Sequence, residues 1–97
     1  MDLYVIRRRD AWASPPELEA AAERSTAEGD KPESGVRWIR SYVVAEESGR
    51  LGTVCIYQAE SPEAIRAHAD AAGMPADEIV PIADTVIVRP DPAPVAV

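Results

Sequence analysis

The sequence contains no phenylalanine, a single cysteine and a single histidine. One cysteine cannot close an intrachain disulfide, which suits a reducing compartment. No residues fall at CxxC, HxH or HExxH spacing, so any metal site must gather ligands from distant positions. There is no glycine-rich phosphate loop. Ser41 and Cys55 have no base beside them in sequence, so no nucleophile–base pair can be read. No apolar run approaches the ~20 residues of a membrane helix. Met1-Asp2-Leu3-Tyr4 lacks a basic region followed by a long apolar one. The expectation is a cytoplasmic chain with no membrane partner.

Positive charge is also short. Ten Lys and Arg stand against seventeen Asp and Glu, a net charge of −7. That balance repels phosphate backbones and excludes nucleic acid as the main partner. The run Arg7-Arg8-Arg9 does not reverse this conclusion. Neighbours on a strand point to opposite faces, so the run reads as a solvated strand end.

What is present fits one domain, spanning residues 1–89, with an extended proline-rich tail over 90–97. Leu3–Arg8 is a short β-type run. Ser14-Pro15-Pro16-Glu17 opens a helix, with Ser14 as cap and Glu17 completing a capping box. Val36–Val44 is a strand, Glu46–Arg50 a hairpin connection and Gly52–Ala59 the return strand. Ser61-Pro62-Glu63 opens a second helix, which Gly73 and Pro75 end. Ile82–Arg89 is the expected last strand. The order β-α-β-β-α-β is the ferredoxin-like pattern, an α+β fold. It predicts a four-stranded antiparallel sheet with two helices on one face. The open face then invites a second copy, giving a homodimer of the dimeric α+β barrel type.

Alternation sorts the central hairpin into two rows. Pairing Tyr42 with Cys55 sets Trp38, Arg40, Tyr42, Cys55 and Tyr57 on one face. It sets Ile39, Ser41, Val43, Val54 and Ile56 on the other. Arg40 under a helix would need a partner to offset its burial, so the aromatic row is expected on the open face. The reverse assignment stays available, because both helices are rich in alanine and could accommodate large sheet residues. His68 lies near the apolar stripe of the second helix, over the other side of the sheet from Cys55.

Three phrases recur in a recognisable order: W-x-x-S-Y at Trp38–Tyr42, C-x-Y-x-A at Cys55–Ala59 and H-x-x-x-A-G-x-P-A-D at His68–Asp77. With the arginine-ended first strand they cover most of residues 3–88. The chain resembles the small nickel-binding, nickel-responsive proteins of actinobacterial type, formerly a domain of unknown function. The resemblance implies a ferredoxin-like fold, a homodimer and Ni(II) as the bound metal. It marks Trp38, Ser41, Tyr42, Cys55, Tyr57, His68, Gly73 and Pro75 as family-like positions. Relatives carry an acidic residue beside the arginine that ends the first strand, and only Asp10 could stand in for it here.

Three functions follow as expectations. The first is a metal-binding dimer, with His68 and then Cys55 as ligands, since imidazole suits nickel. The second is a cofactor-independent barrel enzyme or binder of isomerase, cyclase or monooxygenase type. Its pocket would be lined by Trp38, Arg40, Ser41, Tyr42 and Tyr57, with Arg40 orienting an anionic oxygen. The third is a module whose open face serves only to dimerise.

Overall fold

The computed structural model describes residues 1–94. The tail assigned to 90–97 is therefore seen only to residue 94, and residues 95–97 lie outside the described residues. The elements are β1 (Asp2–Trp12), α1 (Pro15–Gly29), β2 (Val36–Ala45), β3 (Leu51–Ala59), α2 (Pro62–Ala72) and β4 (Glu78–Pro81). All pairings are antiparallel and the sheet order is β2-β3-β1-β4. This is the ferredoxin-like order.

Local chemistry sets the helix ends. Ser61 Oγ accepts from Ala64 N, Pro62 takes the first turn, and Gly73 closes α2 at φ 67°. Only a residue without Cβ adopts that left-handed conformation at no steric cost. The start of α1 is less regular than its sequence suggests. Ser14 makes no side-chain cap bond, and Glu17 accepts instead from Ala13 N at 2.7 Å.

The last strand lies earlier than expected. Glu78–Pro81 pairs with β1 from Tyr4↔Pro81 to Arg7↔Glu78, flanked by Asp77 N→Arg7 O and Ile82 N→Leu3 O. The few residues after Gly73 already bring the chain to the β1 edge, so they take the available backbone groups. Ile82–Arg89 is left without strand structure, and Val86, Ile87 and Val88 are exposed.

Beyond β4 the chain reaches the opposite sheet edge. Asp91 accepts from Arg40 Nη1 at 2.9 Å and from Tyr42 Oη at 2.7 Å, both on β2. The Tyr42 hydrogen bond, then that of Arg40, holds the Asp91 carboxyl below its usual 3.8. A carboxylate depressed on folding stabilises above its unfolded value, and the contribution is lost as pH falls through the folded one. Residues 82–90 are therefore expected to become more sensitive to limited proteolysis as pH is lowered below about 4. Asp91→Asn should abolish that dependence.

The core lies between the helices and the inner sheet face. Tyr4 and Ile6 of β1, Cys55, Tyr57 and Ala59 of β3, Val36 and Ile65 make one buried cluster. This places the faces differently from the alternation argument. Tyr57 and Cys55 point under the helices, and Val54 and Ile56 face the other way, half-buried. The cause is register. The hairpin pairs Ser41 with Cys55 and Tyr42 with Val54, one residue away from the expected match. A one-residue slip turns every side chain to the other face.

A bulge adds the second difference. The ladder runs Trp38↔Tyr57 and then Arg40↔Ile56, with Ile39 as the extra residue. Strict alternation would put Trp38 and Arg40 on one face. The bulge turns Trp38 toward the helices beside Tyr57 and leaves Arg40 and Tyr42 on the open face.

Candidate functional site

The inner face does not close completely over β2. A cleft of about 740 Å³ lies between α1 and the β2–β3 end of the sheet. Its size is that of a small-molecule site, roughly 300–1,000 Å³. On the α1 side the small residues Ala22, Ser25, Thr26 and Gly29 stand beside Leu18 and Glu19. They leave room above the large rings of the strands.

The floor is aromatic and polar by turns. Trp38 stacks on Tyr57 with centroids 6.1 Å apart and planes 13° from parallel. Tyr57 is buried, and its hydroxyl lies 3.1 Å from Ser25 Oγ on α1. Burial pushes the Tyr57 phenol upward, with the Ser25 hydrogen bond opposing it in part. Trp38 Nε1 donates to Ser41 Oγ at 2.7 Å, and Ser41 Oγ donates to Cys55 Sγ at 2.9 Å. Arg8 Nη1 donates to the same sulfur at 3.3 Å. One polar chain thus crosses from β2 through β3 to β1.

Arg8 departs most from its expected place. It is 1% exposed, not a solvated strand end. The signal was in the first strand, where Tyr4, Ile6 and Arg8 alternate as one inward row. Arg8 Nε donates to Pro75 O at 2.6 Å, while Nη2 has no partner. Its neighbours Arg7 and Arg9 point outward and pair with Glu46 and Glu78. Thr53, which pairs with Arg8 across the β1–β3 ladder, is likewise buried with an unpartnered Oγ1.

His68 lies over the Tyr57 ring, at a centroid distance of 5.7 Å. Its Nε2 is 2.9 Å from Ser25 O, and its buried Nδ1 has no partner. Both His68 and Cys55 therefore sit on the helix side of the sheet, contrary to the expected separation. Arg8, Thr53 and His68 carry the three unpartnered buried side-chain atoms among the described residues, and all three residues line the cleft.

The predicted pocket is thus divided. Trp38, Ser41, Cys55 and Tyr57 come together on the helix side. Arg40 and Tyr42 belong to the open face and share Asp91, although Arg40 also reaches the cleft rim.

For a metal, the fit is incomplete. Donation of Nε2–H to a backbone carbonyl is the pattern seen behind a ligating imidazole, and His68 shows it toward Ser25 O. Cys55 does not fit a cation, because its sulfur accepts from the guanidinium of Arg8. Among the described residues no three His, Cys, Asp or Glu side chains cluster as a metal site would require. Asp77 and Glu78 are turned to Arg9, through its backbone N–H and its guanidinium.

Fold and cleft together define a small ferredoxin-like α+β protein with a polar-floored cavity under its first helix. The chain belongs to the SCO4226-like family of nickel responsive proteins, whose profile matches residues 4–82. It is also similar to the crystal structure of SCO4226 from Streptomyces coelicolor A3(2). The two share 22% identity over 87% of this chain and 99% of that one, with a TM-score of 0.68. At that identity the likeness shows the fold. No curated protein matches the chain. No helix among the described residues is long and apolar enough to cross a membrane.

Proposed function

We propose that the protein is a nickel-responsive homodimer that binds Ni(II) at a site completed by a second copy. The observation that carries the reading is membership of the nickel responsive family over residues 4–82. His68 is the ligand we favour, since its Nε2 is already engaged by a backbone carbonyl and its Nδ1 lone pair is unclaimed. A two-fold axis would duplicate every donor, which is how scattered ligands become a sufficient set.

The exposed surface supports self-association. β2 is an edge strand of ten residues, and it leaves Trp38, Ile39, Tyr42 and Val43 exposed. A long apolar edge is a ready template for pairing with another chain. The exposed run Val86–Val88 adds a second β-forming segment with no partner strand.

The test is nickel titration of metal-stripped protein, with bound metal counted per chain and mass read by light scattering. The expected result is saturable uptake by a dimer. His68→Gln, which keeps a donor for Ser25 O, should lower that uptake without unfolding the protein. Absence of uptake by the wild-type protein would overturn the reading.

A further inference from the structure

We propose that the cleft under α1 is a binding site for a small organic monocarboxylate with a flat apolar body, anchored on Arg8. Arg8 carries an unbalanced charge. Arg8 is almost wholly buried, yet its partners are a carbonyl oxygen and a sulfur. Among the described residues no carboxylate pairs with it; the ion pairs are made by Arg7, Arg9, Lys31 and Arg40. Burying an ion with neutral partners alone is costly, and leaving one of its N–H groups empty adds to the cost.

The unpartnered polar atoms belong to paired residues. Arg8 Nη2 and Thr53 Oγ1 come from residues directly opposite one another in the β1–β3 ladder, on the same inward face. A guanidinium and a hydroxyl carried on one face can serve the two oxygens of one carboxylate. A single buried fork suits a singly charged group, and the chain's net charge of −7 disfavours a multiply charged one.

The remaining walls choose the body of the ligand. Trp12, Trp38, Tyr57 and Val43 line the same cavity, and the Trp38–Tyr57 stack offers a flat face. Aromatic walls with a few placed polar groups are the usual composition of a small-molecule site. His68, the nickel ligand favoured above, lines the same cleft, but the carboxylate contacts need no metal, and chelator keeps the two readings distinguishable.

The test is calorimetric titration of the full chain in chelator with benzoate, trans-cinnamate and indole-3-acetate. Each is paired with its neutral amide, and inorganic phosphate is added as a further arm. At least one acid should bind saturably, with its amide at least about ten-fold weaker. Arg8→Gln should abolish the difference between acid and amide. Thr53→Val should weaken the acid while sparing the fold, and it decides the matter if Arg8→Gln does not fold. The proposal is overturned if no acid binds at millimolar concentration or if acid and amide bind equally. Phosphate binding more tightly than every acid, or full acid binding by Arg8→Gln or Thr53→Val, would also overturn it.

Discussion

Replacing Tyr57 by alanine is expected to cost about 3–5 kcal/mol of folding stability, the range for removing a buried ring. Against a total of roughly 5–15 kcal/mol for a domain, that brings the protein close to unfolding. The residue is 1% exposed, stacks on Trp38, lies beside His68 and hydrogen-bonds Ser25. Its loss empties the middle of the inner face and strands the Ser25 hydroxyl. Val54→Ala and Ile56→Ala, half-buried on the opposite face of the same strand, should cost much less. Urea denaturation of the three variants checks this. The reverse ranking would mean that β3 turns its aromatic side to the open face.

The second large effect is expected at Gly52. A Cβ there would lie 2.5 Å from Arg8 O and 2.6 Å from Glu46 Oε2. The first contact is with the backbone of the neighbouring strand, which cannot rotate away. Gly52→Ala should therefore destabilise by about 1–3 kcal/mol, the cost of forcing atoms into a filled space. The position also borders the irregularity in β1 between Arg8 and Trp12, where Asp10 has φ 53°. Glu46 holds that bend by accepting from Arg7 Nη2 and Asp10 N. Displacing Arg8 O should tilt the buried guanidinium as well. Gly52→Ala is thus expected to lose stability and carboxylate binding together, as unfolding and calorimetry on one sample would show.

Element types and order were legible because local chemistry decides them. Ser61, Pro62 and Gly73 bound α2 through a cap, a fixed φ and a left-handed end. The central hairpin is marked by β-branched residues on either side of a glycine-containing turn. Faces were less legible, because they depend on register to within one residue. The turn pairs Ala45 with Leu51, and the bulge at Ile39 resets the match before Trp38. Nothing in the apolar pattern records a bulge.

Charge alone does not assign the faces, for a physical reason. Arg40 does stay out of the core, but the bulge frees Trp38 from following it. Meanwhile an arginine does enter the helix side, on β1, where three in a row looked like solvent-facing charge. The alanine-rich helices, which made the reverse assignment available, leave the space that the rings and Arg8 occupy. The expected last strand falls later than the observed one because Ile82–Arg89 has the stronger β pattern. The edge of β1 is filled by whichever segment arrives first, and Glu78–Pro81 does.

Anchoring of a carboxylate by Arg8 inside the cleft can be read directly through the two tryptophans. Both Trp12 and Trp38 line the cavity, and the chain has no others. Their two indole N–H signals can be followed in nitrogen-15-labelled protein as each of the three acids is added. Both signals should shift saturably with at least one of benzoate, trans-cinnamate and indole-3-acetate, shift far less with its amide, and lose that difference in Arg8→Gln. Indole signals that respond equally to every acid and its amide, or to none of them, would contradict carboxylate binding at Arg8.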